Sequence, residues 1–169
     1  MATAYFDVDG TLVGTNLLHP TFHYLSNQQT PLRSALRVGR ALLDAPRLAW
    51  SEMRDRRQFN ELLFSHYRGM SEDRLLVLAD EIFEEIILPR IFAATVELIG
   101  ACKRAGMRVV LITGALDFTM APLVSHLGAD LAICNRLEFK DGMATGKLLR
   151  PVVAGPGKAR LVADDARAA

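Results

Sequence analysis

The feature that most constrains the fold is the alternation of strand-length apolar runs with helical stretches. Arg108-Val-Val-Leu-Ile112 is β-branched, apolar and of strand length, and it ends at Thr113-Gly114. Thr3 to Asp7 is a second such run, partly aromatic, which ends at Asp7-Val-Asp-Gly-Thr11 with Gly10 as its punctuation. Asp130-Leu-Ala-Ile-Cys134 is a third. Between them, Ile91 to Arg104 reads as helix with a turn at Gly106, and a further helix runs to His126 or Leu127 and stops at Gly128. Pro122 should either start the regular part of that helix or kink it. Strands separated by helices imply a parallel sheet in a layered α/β fold. Ligands bind such sheets at the carboxyl ends of the strands. Asp7–Thr11 and Thr113–Gly114 both lie at that edge, so the two most polar strand ends should converge on one site.

Directly after the first strand, from about Leu12 to Pro89, the chain reads as entirely helical. Pro31 opens a helix through about Leu43, and Pro46 separates it from the next. The clearest helix is capped by Ser71, with Glu72 and Asp73 in its first turn to suit the helix dipole. Its apolar positions Leu75, Leu78, Ala79, Ile82, Phe83, Ile86 and Ile87 recur every three or four residues, which makes one buried stripe ended by Pro89. Towards the C-terminus, Lys140-Asp-Gly-Met143 predicts a hairpin turn, and a last helix starts near Gly157-Lys158.

Basic and acidic residues nearly balance, 20 against 19, for a formal charge of +1. No Lys/Arg block resembles a nucleic-acid-binding arm, so no nucleic-acid partner is expected. Cys102 and Cys134 are widely spaced and lie in apolar segments, which reads as small core residues of a reducing compartment. No Cys/His spacing suits zinc. No signal peptide and no membrane span is visible, and a soluble cytoplasmic protein is the expectation. His19 and His23 are four apart but are read as structural, since Pro20 falls between them and no third ligand is evident. Trp50 and Phe59 are read as core or cap-packing residues. From Arg33 to Arg74 there are nine Arg against six Asp/Glu, an excess that suits a charged outer face or an anionic partner.

The chemistry concentrates at Asp7-Val-Asp9. In an extended segment residues i and i+2 point the same way, so both carboxylates can face one pocket. One can attack an electrophile while the other handles a proton. Gly10 allows close approach of a ligand or ion.

Phe6-Asp-Val-Asp-Gly-Thr-Leu12, Val110-Leu-Ile-Thr-Gly114 and Gly157-Lys158-Ala-Arg-Leu161 resemble, in order, the first three motifs of haloacid dehalogenase (HAD) superfamily phosphohydrolases. Asp141-Gly-Met-Ala-Thr-Gly146, Tyr67-Arg-Gly-Met-Ser71 and Leu127-Gly-Ala-Asp130 are similar to the phosphoserine-phosphatase-like branch, subfamily IB. The resemblance runs from about residue 4 to residue 162. It implies a Rossmannoid core, residues 1–14 and 90–169, with a helical cap, residues 15–89, inserted after the first strand. It implies an Mg²⁺-dependent phosphomonoesterase acting on a small phosphorylated metabolite. Asp7 would be the nucleophile, Asp9 the general acid and base, and Thr113 and Lys158 the remaining catalytic residues. Thr11 and Gly114 would bind substrate, and Asp7 and the Asp9 carbonyl would hold Mg²⁺. A carboxylate attacking a phosphate dianion needs cations on either side, here Mg²⁺ and Lys158.

The family's fourth motif, an acidic loop that completes the metal site, is not found. The sequence ends at Ala169, eleven residues past Lys158, and Asp164 and Asp165 read as a solvated helix face. Two expectations stand side by side: a phosphatase, or a truncated, non-catalytic HAD-fold fragment or binding module. An acyl- or dehalogenase-type use of the same nucleophile is a third, opposed by a Thr and a Lys placed for phosphate. Substrate identity and oligomeric state are not readable.

Overall fold

A computed structural model describes residues 2–28 and 30–168. Met1 and Ala169, the outer limits of the expected core, and Gln29 within the expected cap lie outside the described residues. Strands β1 (Thr3–Asp7), β2 (Arg108–Leu116) and β3 (Leu131–Asn135) form a parallel sheet in that order, with Asp7 opposite Ile112 and Ile112 opposite Ile133. This is the expected α/β architecture. β2 runs four residues beyond Ile112, because β3 follows it as far as Asn135 across a register shift. Thr113 and Gly114 therefore sit inside the second strand, just past the end of β1.

Helix α5 (Ala93–Arg104) leads into β2, and α6 (Asp117–Leu127) connects β2 to β3. Pro122 lies within α6, and Gly128 ends that helix in the left-handed conformation. Val109, Leu111, Leu116 and Leu123 are buried between sheet and helices. Cys134 is partly buried on β3, and burial pushes its thiol up to about 12, which keeps it protonated and inert.

The insertion after β1 is helical, as expected: α1 (Leu18–Ser26), α2 (Pro31–Arg54), α3 (Arg56–Ser65) and α4 (Glu72–Ile82). Ser71 caps α4 by accepting from the Arg74 amide. Leu75, Leu78 and Ile82 are fully buried, each worth about 1.5–3 kcal/mol over exposure. The stripe continues through a π-turn at Phe83–Ile87 and a short 3₁₀ turn at Leu88–Arg90 that contains Pro89. The two connections to the core run side by side: Gly14 N–H donates to Arg90 O at 2.8 Å and Phe92 N–H to Leu12 O at 3.0 Å.

Two expectations in the insertion are corrected. Pro46 does not divide α2, which is one helix of 24 residues. Pro46 and Leu42 are exposed, so the carbonyl that loses its partner can turn to water and the break is avoided. Trp50 is not packed inside: it is 63% exposed, with the Arg54 guanidinium 5.1 Å from the centre of its ring. Phe59 is buried, as expected.

The expected hairpin forms from β4 (Leu137–Lys140) and β5 (Met143–Leu148), with Asp141 and Gly142 both at positive φ. It also docks on the helical insertion, through Gly69 N–H to Ala144 O and Ala144 N–H to Met70 O, both at 2.8 Å. Gly146 makes this docking possible. Its φ is +78°, and an added Cβ would lie 2.8 Å from Ser65 O and 3.0 Å from Arg68 Cβ. Gly146→Ala is therefore expected to destabilise the fold by about 2–4 kcal/mol, the sum of backbone strain and overpacking. Urea denaturation checks this, with an unchanged midpoint as the contrary result.

Helix α7 (Pro156–Ala168) carries Asp164 and Asp165, and here the expected solvated face is half wrong. Asp164 is exposed and, among the described residues, pairs with Arg167 on its own helix. Asp165 instead accepts two bonds from Arg108, at 2.6 and 3.0 Å, and one from the Tyr5 hydroxyl at 2.7 Å. It ties α7 to β1 and β2. The Arg108 hydrogen bonds, then the Tyr5 one, hold its carboxyl below the ordinary carboxylate range. A depressed folded pKa contributes stability above the unfolded value of about 4, lost as pH falls through the folded value. Asp165→Asn should lower Tm by a few degrees at pH 7, and the gap to wild type should close below about pH 4. Melting curves across that range test it, and a gap independent of pH would remove the ion pair from the account.

Candidate active site

The turn after β1 is built on one carbonyl. Val8 O accepts the amides of Thr11, Leu12 and Val13, while Val8, Leu12 and Val13 are buried. This turn holds Asp7 and Asp9 at the carboxyl edge of the sheet. Asp7 Oδ1 accepts from its neighbour's amide at 3.1 Å and from Lys158 Nζ at 2.6 Å. Asp7 is about half exposed, so the pair is open to a ligand. Asp9 Oδ2 accepts from the Thr113 hydroxyl at 2.8 Å, and that hydroxyl accepts the Ala115 amide at 3.0 Å. Burial is the main cause raising the Asp9 carboxyl above its ordinary value. The Thr113 bond opposes the rise, Asp7 adds to it, and Lys158 and Arg56 counter it.

A cavity of about 330 Å³ opens over Asp7, Asp9, Gly114 and Lys158. The cap closes it from above with Glu52 of α2 and with Arg56 and Asn60 of α3. Gly114 has no room for a side chain, since a Cβ would meet Asn60 Nδ2 at 2.9 Å. The structure therefore brings Asp7, Asp9, Gly114 and Lys158 to one cavity, with buried Thr113 bonded to Asp9 behind them. Thr11 is exposed on the turn and does not line the cavity.

Three residues of the site, Asn135, Glu52 and Asn60, were not read from the sequence. Asn135, fully buried at the end of β3, donates to Gly114 O at 2.7 Å and Val153 O at 3.2 Å, and accepts the Val153 amide at 2.8 Å. It joins the second strand to the segment that delivers Lys158. Its one signal was a polar side chain closing an apolar strand. Glu52 and Asn60 had no signal, because only the chain's return over the sheet places them there, and Arg56 was legible only as one of the cap's excess arginines.

No group of three His, Cys, Asp or Glu side chains suited to a metal occurs among the described residues. Among them, too, no helix is long and apolar enough to cross a membrane.

The family model for haloacid dehalogenase-like hydrolases matches residues 4–169. The chain belongs to that family. This HAD-like hydrolase is 31% identical over 162 residues to phosphoserine phosphatase SerB1 of Mycobacterium tuberculosis, covering 95% of this chain and 53% of the relative. It spans about half the length of the curated relatives it matches. Among solved structures, a protein of unknown function from Bordetella pertussis superposes with a TM-score of 0.76 at 22% identity, over 95% of this chain and 72% of that one. A phospho-aspartyl intermediate analogue of phosphoserine phosphatase gives 0.67 at 20% identity, over 99% and 72%. These likenesses in structure carry the fold, with the helical cap after β1.

Proposed function

We propose that this HAD-like hydrolase is a magnesium-dependent phosphomonoesterase that acts through an aspartyl-phosphate on a small phosphorylated metabolite. The observation that carries the reading is the 2.6 Å contact of Lys158 Nζ with Asp7 Oδ1 at the floor of a capped cavity that Asp9 also lines. In this reading the core comprises residues 1–14 and 90–169 and the cap residues 15–89. The free Asp7 oxygen attacks phosphorus in line, the bond to the leaving oxygen breaks, and Asp9 gives that oxygen its proton. The Asp9 carboxylate then takes a proton from water, which attacks the aspartyl-phosphate and frees phosphate and Asp7. Burial of Asp9 suits both proton transfers, and Thr113 orients its carboxyl. Lys158 offsets the repulsion between Asp7 and the incoming phosphate. The Gly114 N–H would hold a phosphoryl oxygen. Thr113 could do so only by exchanging its bond to Asp9, and Thr11 stays in the proposal as an exposed hydroxyl of the same turn.

The donors fit magnesium: Asp7 and the Asp9 carbonyl are hard oxygens, and that ion keeps several waters and phosphate oxygens around few carboxylates. When bound there it would neutralise charge on the phosphoryl group. Arg56 and Glu52, paired at 3.4 Å over the cavity, offer one charge of each sign to a zwitterionic amino-acid phosphate, and phosphoserine is one candidate.

A second reading, a non-catalytic module, is favoured by the missing third metal ligand among the described residues. Hydrolysis of an aryl phosphate with and without millimolar Mg²⁺ separates the two. It is measured on this chain and on one continued to the length of its curated relatives. Mg²⁺-dependent release from either supports the enzyme. Stabilisation by phosphate with no release from either supports the module.

A further inference from the structure

The largest arginine cluster of the cap is not at the catalytic cavity. Arg33, Arg37 and Arg40 of α2, with Arg68, Arg74 and His66, line a second cavity of about 750 Å³. It shares no lining residue with the first. Along α2, the eight residues from Asp44, which lines the second cavity, to Glu52, which lines the first, separate the two by about 12 Å of helix. Among the described residues Asp44 is the one carboxylate lining it, against five guanidinium groups. Asp44 is already shared, 3.4 Å from exposed Arg47 and 3.6 Å from His66 Nε2, the latter beyond hydrogen-bond reach.

Two observations show that this charge is held in place and not merely solvated. Arg37 is locked by 3.0 Å bonds to the carbonyls of His66 and Arg68, and burial, then Arg33 and Arg40, lower its pKa. His66 has a side chain only 9% exposed, and its Nε2 is buried with no hydrogen-bond partner among the described residues. The Nε of Arg74 is in the same condition. Like charges packed together beside unpartnered buried nitrogens, the Arg74 Nε–H among them, are costly without an anion to offset them. A phosphate group matches the requirement: it is anionic and its non-bridging oxygens accept bidentate bonds from guanidinium forks.

We propose that this cavity is a second anion site, separate from the catalytic one, that takes a phosphate group. A free phosphate and a phospholipid headgroup present the same chemistry to the arginines. Leu36 lines the cavity, and with Leu32, Leu43, Trp50 and Met53 it makes a row on α2 that is 63–86% exposed. That row would seat the acyl part of a lipid.

The test is NMR of the whole chain labelled at histidine, titrated with inorganic phosphate and, separately, with phosphatidylcholine vesicles with and without phosphatidylglycerol. His66 reports this cavity, and His19, next to Leu18 of the catalytic cavity, reports the other. His66 signals should move saturably. Arg40→Glu, at an exposed position, should raise half-saturation at least tenfold and leave the His19 response unchanged, while Arg40→Lys should restore most of the binding. Movement with phosphate identifies a free anion as the source. Arg40-dependent binding only to phosphatidylglycerol vesicles identifies a headgroup. No saturable His66 movement in either arm overturns the proposal, as does a response that Arg40→Glu leaves intact.

Discussion

Asp7→Asn is expected to lower Mg²⁺-dependent phosphate release by about a thousandfold or more, because the amide is a poor nucleophile of nearly the same shape. Stability should change little. Asp7 is about half exposed, its ion pair with Lys158 is open to solvent, and such pairs are worth about 0–1 kcal/mol. Loss of turnover with an unchanged unfolding midpoint separates chemistry from folding. The variant should also fail to take up label from a radioactive phosphate ester, since no acyl phosphate can form. Turnover within tenfold of wild type would remove Asp7 from the mechanism and, with it, the proposed reaction class.

Lys158→Met should lower kcat by about a hundred- to a thousandfold, the scale of removing one preorganised charge from a site where negative charge builds up. Nζ lies 2.6 Å from Asp7 Oδ1 and lines the same cavity, beside the carboxylate that an incoming phosphate must approach. The effect should fall on kcat more than on KM, because repulsion is greatest as the phosphorus–oxygen bond forms. Methionine keeps the unbranched, apolar stem, one atom shorter, at a side chain that is about one quarter exposed, so the helix should remain docked through Asp165. A change confined to KM would make Lys158 a binding residue only.

The elements were legible where a local rule sets them. The run Arg108–Ile112, the cap at Ser71, the stop at Gly128 and the turn at Asp141-Gly142 each follow from backbone preferences of the residues themselves. Asp7 and Asp9 were legible as a pair for the same reason, since two-residue spacing past a strand places them together.

Errors arose where the environment overrides a preference. Pro46 fails to end a helix because its side of α2 faces water, and Trp50 is exposed although its size suggested burial. Asp165 leaves solvent because α7 lies against β1 and β2 and brings it to Arg108 and Tyr5, residues more than fifty positions away in the chain.

By itself, then, the sequence determined the order of strands and helices, the acidic turn after β1 and the family, all carried by short spans of neighbouring residues. Only the tertiary structure decided that Asn135 braces the site, that Arg56 and Glu52 close it, and that five of the cap arginines line a second cavity. These depend on contacts between segments far apart in the chain, and their geometry is set by packing that no local pattern encodes.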